Sequence, residues 1–256
     1  MIKFFRKIRQ NLLMENKTGK YFKYAIGEIV LVVIGILIAL SINNWNDQRK
    51  ERAKELHYLQ NIKTDLQLNK AELNKFLATR KNLIGNAQKI IAHFEGKPVT
   101  DLAAFNQLCI PIFAWKRYYQ NNNTFQELLN SGNLALITND SIKTTLLNME
   151  MEYKKLKSEE AHYRFDMETT IYQPIYQFMD VQALTDNFAY RVSQGQAGRD
   201  VTLPKQQFDV FFNTMAIKNG FTFTILEYEI LNQHMDNMIS MTDKLIALID
   251  QELNTK

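Results

Sequence analysis

The chain has 256 residues, with 31 Lys and Arg against 27 Asp and Glu, and it contains one Cys, four Pro and nine Gly. So few glycines and prolines exclude a turn-rich all-β fold, and the ordinary hydrophobic and charged contents exclude a disordered tail. A single Cys excludes an intramolecular disulfide framework and any multi-cysteine zinc or iron–sulfur site. We therefore expect a largely helical, all-α protein.

The basic excess of the chain lies in its first 24 residues. That segment holds seven Lys or Arg and one Glu, whereas residues 46–256 hold 24 Lys or Arg and 25 Asp or Glu. A nucleic-acid-binding domain needs a basic face on its folded part, so this distribution argues against a nucleic-acid partner. In residues 2–12, apolar side chains share one helical side and most cations lie elsewhere, which suits contact with anionic lipids.

Residues 25–42 form an apolar run with a single charged residue. As a helix, residues 24–45 would extend about 32 Å, close to the hydrocarbon core of about 30 Å. Aromatic side chains mark both ends, with Tyr24 at one and Trp45 at the other. Valine, isoleucine and leucine occupy every face between them, which disfavours the core helix of a soluble domain. We predict a single transmembrane helix over residues 25–45, which makes the lipid bilayer a partner of this chain.

The charge asymmetry across this helix predicts its orientation. Short flanks rich in Lys and Arg stay in the cytoplasm, so we expect the N-terminus inside and the C-terminal domain outside. Ala39-Leu40-Ser41 has the small residues of a signal-peptidase site. Because 24 residues are too many for the basic region of a signal peptide, we expect the helix to remain as an uncleaved anchor.

Two features inside the predicted span allow alternative interpretations. Glu28 lies one turn beyond Tyr24, where it either anchors the helix at the cytoplasmic rim or takes part in a proton or partner contact. Gly35 and Ala39 form a small-xxx-small pair, which permits close approach of another helix. Such pairs also occur by chance in most spans.

After the span the pattern changes to mixed charge with a heptad repeat. The apolar residues of this repeat cover about three helical positions in seven, which suits a bundle core better than a two-stranded coiled coil. Asn69 and Arg80 interrupt the repeat, and Gly96 followed by Pro98 is a helix stop. We predict a long helix over residues 46–95. Its seam residues are Leu59, Ile62, Leu66, Leu73, Phe76, Leu83, Ala87, Ile90 and Phe94.

The next segment is predicted to contain short helices and loops. Thr100 or Asp101 can cap a short helix that Pro111 interrupts. Thr124 and Glu127 have the spacing of a capping box for another.

An aromatic stretch lies between these short helices. Because aromatic side chains anchor interfaces, Phe113, Trp115, Tyr118 and Tyr119 are a candidate partner surface. The alternative is that they cover the core of the bundle.

The second half of the chain repeats the helical pattern. Asn139 can start a second long helix, which Pro174 ends or kinks. Pro204 opens a short helix, and Asn219-Gly220 is expected to turn the chain into the last long helix. We predict a bundle of about three long helices with shorter inserts. The predicted parts are the basic tail 1–24, the transmembrane helix 25–45, the heptad helix 46–95, the short elements 96–139, the second long helix 140–180 and the C-terminal helices 204–254.

Two stretches resemble a known family. The opening MIKFFRKIRQNLLMENKTGKYFKYAIGEIVLVVIGILIALSINNWND and the later FQELLNSGNLALITNDSIKTTL are similar to recurring segments of an uncharacterised family of small bacterial membrane proteins. That family is common in the Bacteroidota and is described only as a domain of unknown function. The resemblance implies an inner-membrane anchor with a periplasmic domain, and it implies no activity, catalytic residue or cofactor.

Glu159 and His162 have the Glu-x-x-His spacing that places two ligands on one helical face in di-iron carboxylate bundles. Such sites need a second pair and two further glutamates, which the other histidines do not supply. With Asp166 one turn later, a surface polar cluster is the favoured interpretation.

His234, Met235, Met238 and Met241 are the other weak metal candidates. Thioethers select Cu(I), and the domain is expected to face a compartment exposed to copper. However, Met235 and Met238 also occupy the apolar seam of the last helix, where methionine commonly fills gaps.

The sequence contains no local catalytic motif of the HExxH, GxSxG or P-loop type. Cys109 lies among apolar residues, which favours a buried, inert thiol. We therefore expect no catalytic activity and no cofactor. The favoured function is a membrane-anchored interaction or scaffold module with a protein partner or a second copy of the chain. A periplasmic ligand sensor acting through a partner is the alternative, and a Cu(I)-handling protein is a weaker one.

Overall fold

A computed structural model describes residues 18–114, 116–201 and 204–254, and every regular element in these ranges is helical. The all-α prediction is confirmed. The elements in chain order are α1 (Thr18–Phe94), α2 (Leu102–Phe113), α3 (Asn123–Asn130), a 3-10 turn (Asn133–Leu136), α4 (Asp140–Met167), a π-helical turn (Glu168–Tyr172), α5 (Gln173–Tyr176), α6 (Val181–Val192), α7 (Lys205–Asn213) and α8 (Met215–Asn254).

The chain divides into two compact units, with the boundary between His57 and Tyr58. In the described part of the first unit, residues 18–57 belong to α1. The second unit contains the rest of α1 and all later helices. Its core is built mainly where α4 packs on α8 and where α1 contributes its heptad stripe.

The core of the second unit comprises two apolar clusters. The larger one joins α1, α2 and the helices from α4 onward, with Leu73, Ile90, Leu156 and Phe221 among its fully buried members. The smaller one lies around α3, where residues 59–66 of α1, the first half of α4 and the last part of α8 meet. Its buried members are Leu59, Ile62, Leu66, Phe125, Leu128, Ile137, Ile142, Leu146, Met149, Leu245 and Ile249.

Several helix ends lie where the sequence places them. α1 ends at Phe94, and Gly96 follows with a φ of +103°, a conformation that favours glycine. The backbone N–H of Ala104 donates to the Asp101 side chain at 3.0 Å at the start of α2. The Asn139 side chain accepts from two backbone N–H groups at the start of α4.

The predicted capping box at Thr124 is wrong. Helix α3 begins at Asn123, and the side chain of its N-cap residue Asn122 makes no capping hydrogen bond. Instead, the Thr124 hydroxyl donates to Asp65 Oδ2 at 2.7 Å. Because Asp65 on α1 is a charged acceptor, it takes the hydroxyl that the local motif would have used.

Pro111 departs from the prediction, whereas Pro174 lies next to the predicted irregularity. Pro111 does not interrupt its helix, because α2 continues to Phe113. Pro174 lies in the first turn of α5, and the five residues before α5 form the π-helical turn. Since a proline ring clashes with the carbonyl four residues earlier, the wider π turn accommodates Pro174 without ending the helical path.

The predicted turn at Asn219-Gly220 is also wrong. Helix α8 begins at Met215 and passes through both residues, and the break lies one residue earlier at Thr214. A Cβ on Gly220 would lie 2.4 Å from Cγ1 of Ile171 in the π-helical turn. Gly220 therefore allows close helix packing and does not turn the chain.

Candidate functional site

The apolar segment of α1 has large side chains exposed on every side. None of its most apolar 18-residue stretch is buried, whereas the core helix of a soluble protein is mostly buried. By length and composition this helix can cross a membrane. The exposed apolar residues of the segment are Ile26, Ile29, Val30, Leu31, Val32, Val33, Ile34, Ile36, Leu37, Ile38, Leu40 and Ile42.

Aromatic residues lie at both ends of this segment. Tyr24 and Trp45 are exposed, and the guanidinium carbon of Arg49 lies 5.5 Å from the centre of the Trp45 ring. An aromatic ring with a neighbouring cation is typical of the interface between hydrocarbon and water.

The smaller candidate residues of the span lie on the same helix. Gly35 and Ala39 are exposed, and a Cβ on Gly35 would meet nothing within 4 Å. Glu28 is partly exposed. The described part of the first unit thus leaves room for another helix at Gly35 and Ala39.

An ion pair is buried in the core of the second unit. Arg80 Nη2 donates to Glu160 Oε1 at 2.9 Å, and both side chains are less than 5% exposed. The guanidinium also lies 5.5 Å from the Phe76 ring centre and 5.6 Å from that of Tyr228. Burial lowers the pKa of Arg80, and the charge of Glu160 opposes this shift. Arg80 is therefore a structural group and not a defect in the heptad.

Glu160 also fixes the loop between α2 and α3. Its Oε1 accepts from the backbone N–H of Tyr118 at 3.0 Å, and its Oε2 accepts from Lys157 at 2.7 Å. Lys157 in turn donates to the Tyr118 carbonyl at 3.0 Å. One carboxylate therefore connects α1, α4 and this loop.

The other polar break in the heptad fixes the same loop. Asn69 Nδ2 donates to the Asn121 carbonyl, and the Asn121 N–H donates back to Asn69 Oδ1, both at 2.7 Å. Asn69 is buried. A side-chain amide paired with both the N–H and the C=O of one residue satisfies its own polar atoms and those two backbone groups of the loop.

A third polar cluster joins α4 and α8. His234 Nδ1 lies 2.8 Å from Glu152 Oε1, and Asn237 Nδ2 donates to the same oxygen at 2.9 Å. Burial acts to raise the pKa of Glu152, but the hydrogen bonds from Asn237 and His234 outweigh it, so the pKa lies below its ordinary value.

The structure brings Glu227 to the predicted Glu159–His162 pair. One ligand atom from each of the three side chains lies within 4.8 Å of the other two. His162 Nδ1 is 3.4 Å from Glu227 Oε1. Burial raises the pKa of Glu227, His162 opposes this, and the negative charge of Asp166 reinforces it. The sequence pattern gave no signal for Glu227, because this residue comes from another helix.

The four residues proposed as weak Cu(I) ligands contact different groups. Met235 and Met238 are buried in the larger apolar cluster, and Met241 packs against the smaller one. Met235 Sδ accepts from Arg80 Nη1 at 3.4 Å, and a cationic donor at this sulfur disfavours Cu(I) there. His234 bonds Glu152, as above. The three sulfurs and the imidazole therefore act as packing and pairing groups in this structure.

The predicted aromatic partner surface needs a correction. Tyr118 is fully buried, and Phe113 packs on the core against Tyr172 and Phe221. Tyr118 therefore cannot contact a partner, whereas Phe113 is partly buried. Tyr119 is 63% exposed, with Lys157 Nζ 4.3 Å from its ring centre. The prediction for Trp115 lies outside the described residues.

Exposed apolar side chains lie elsewhere, on α8. Phe223, Leu226 and Ile230 are between 36% and 49% exposed. Their spacing of three and four residues places them on one helical face. We call this face the apolar stripe, and the sequence analysis did not single out its residues.

A cavity of about 310 Å³ lies between α2 and α6. Most of its lining is apolar. The lining residues are Asn106, Ile110, Phe113, Ala114, Leu184, Thr185 and Phe188.

Residues 28–191 match a family described as a family of unknown function, DUF6090. This match covers more than half of the chain. The chain belongs to this family. The expected membership of an uncharacterised family is therefore confirmed, and no curated protein or solved structure shows significant similarity to the chain. The DUF6090 match includes Arg80, Glu160 and the Glu159–His162 pair, whereas Glu227 and the apolar stripe lie after it.

Proposed function

We propose that this DUF6090 protein is a single-span protein of the bacterial inner membrane whose helical domain is a periplasmic interaction module. The observation that carries the proposal is the apolar segment of α1, which is exposed on every side. Burying such a segment in hydrocarbon removes a large apolar area from water. The excess of Lys and Arg before the segment supports a cytoplasmic N-terminus, where those cations would contact anionic lipids.

The apolar stripe supports the interaction part of the proposal. An exposed row of large apolar side chains on a helix fits the apolar face of another helix. We propose an amphipathic helix of a partner protein as its occupant. The domain would hold that partner close to the membrane without acting on it chemically.

The orientation is tested by cysteine labelling in cells. The native Cys109 is buried, so it gives little background. We expect a membrane-impermeant maleimide to label the Lys116→Cys variant once the outer membrane is permeabilised, and to label Asn16→Cys only after lysis. Reversed labelling, or a mature protein that begins near Ile42, would contradict the proposal.

The contact surface is tested with a photoreactive amino acid. We place it at Leu226 on the apolar stripe and, as a matched control, at Asp236 on another exposed side of α8. We expect one crosslinked product of defined mass from position 226, absent from position 236 and lost when Ile230→Asp is added. Equal products from both positions would refute a specific contact. A product with twice the mass of the chain would identify a second copy as the occupant.

The cavity between α2 and α6 favours a second candidate function, a ligand sensor acting through a partner. Its size and apolar lining are those of small-molecule sites. Native mass spectrometry of the full chain tests this. We expect a bound small molecule that is lost in Leu184→Trp, which fills the cavity, and kept in Leu147→Trp, which changes an exposed residue of α4.

A further inference from the structure

Three metal-ligating side chains come together on the α4–α8 surface of the second unit. Glu159 and His162 are three residues apart on α4 and share one helical face. Glu227 reaches them from α8, and one ligand atom from each lies within 4.8 Å of the others. Two carboxylates and one imidazole are ligand types that Zn²⁺ binds in open, catalytic-type sites.

The distances suit a small tetrahedral ion. Metal–ligand bonds of about 2.0–2.1 Å place neighbouring tetrahedral ligands about 3.4 Å apart. His162 Nδ1 and Glu227 Oε1 are already 3.4 Å apart. Glu159 is only partly buried, so a side-chain rotation can bring its carboxylate to the same separation.

The burial of Glu227 is a second, independent observation that indicates a bound cation. The residue is 7% exposed, and its Oε2 is buried without a hydrogen-bond partner among the described residues. A buried carboxylate oxygen without a partner is costly. A cation held by both carboxylate oxygens of Glu227 and by His162 would satisfy it, and the negative charge of Asp166 favours such an ion.

The exposure of His162 completes the arrangement. Its side chain is 59% exposed, whereas that of Glu227 is 9% exposed. The ligands therefore run from the core to the surface, so an ion can enter from solvent and keep a water in a fourth position.

We propose that Glu159, His162 and Glu227 form a binding site for one divalent transition-metal ion of the zinc type. None of the three ligands belongs to the apolar stripe or lines the cavity, and the site does not depend on the proposed interaction function. The ion would hold α4 and α8 together at this point and leave one coordination position open.

Metal titration of the full chain in detergent, purified without a histidine tag, tests the site. We expect calorimetry with Zn²⁺ to give one saturable site per chain, and Co²⁺ to give the visible absorption of a tetrahedral complex. His162→Ala and Glu227→Gln should each weaken binding at least about tenfold, by comparison with losses seen for altered metal sites. The controls His57→Ala and Glu229→Gln change exposed residues outside the cluster and should bind as the parent does.

Folding and binding can be separated in this design. His162 is exposed, and Glu227→Gln keeps the side-chain shape, so both variants should keep the helical circular dichroism of the parent. Absence of saturable binding by the parent would overturn the proposal. So would undiminished binding by His162→Ala, or an equal loss in His57→Ala.

Discussion

Removing one partner of the buried Arg80–Glu160 pair should strongly destabilise the second unit, because the other charge stays buried without its counter-charge. In Glu160→Leu, the guanidinium keeps its burial and loses its counter-charge, and the donors of Lys157 and the Tyr118 backbone lose their acceptor. Breaking a buried ion pair from one side costs about 3–5 kcal/mol. We expect a loss of that size in the free energy of unfolding of the second unit.

The double variant decides whether this loss reflects the pair. Replacing both charges with apolar residues of similar volume is often neutral or stabilising. We therefore expect Arg80→Met with Glu160→Leu to be at least about 2 kcal/mol more stable than the sum of the single losses implies. Because Glu160 also serves the loop, some loss should remain in the double variant.

The matched control is the exposed pair of Arg164 and Glu168, which have the same charges at 2.6 Å. Their coupling energy should be about 0.3–0.5 kcal/mol, as for other surface pairs four residues apart. Equilibrium urea unfolding of the full chain in detergent, followed by circular dichroism, measures both cycles. Equal coupling energies in the buried and the exposed pair would refute this reasoning.

Three further predictions concern single residues. Gly220→Ala should destabilise the second unit by about 1–3 kcal/mol through overpacking on Ile171, whereas Gly85→Ala, which meets nothing within 4 Å, should stabilise it by up to about 1 kcal/mol in the same urea assay. Asn69→Leu should cost about 1–3 kcal/mol, because the partly buried N–H of Asn121 loses its acceptor; unchanged stability would contradict this. The depressed pKa of Glu152 stabilises the fold above the unfolded value of about 4.3, and this contribution is lost as the pH falls through the folded-state pKa. The Tm difference between the parent and Glu152→Gln should therefore be largest near neutral pH and shrink in acid, and a constant difference would contradict the assignment.

Sequence periodicity predicted the features that are set within one helix, and it missed the contacts that form between two helices. The heptad stripe of α1, the end of α1 before Gly96 and the Asn139 cap of α4 all follow from local patterns, and the structure has them. Gly220 was misassigned because a glycine that permits close packing has the same sequence signal as one that turns the chain. Glu227 was missed for a related reason, since no spacing within α8 indicates a partner on α4.

The polar residues of the heptad restrict how the helices of the second unit can pair. The apolar heptad residues of α1 alone would permit a shift by one heptad, because leucine and isoleucine recur every seven residues. Such a shift would move Asn69 away from the Asn121 peptide and Arg80 away from Glu160 together. Two buried polar groups and the loop that they hold would then lose their partners, at a cost that the unchanged apolar contacts do not offset. Asn69 and Arg80 thus select one register among those that the apolar residues allow.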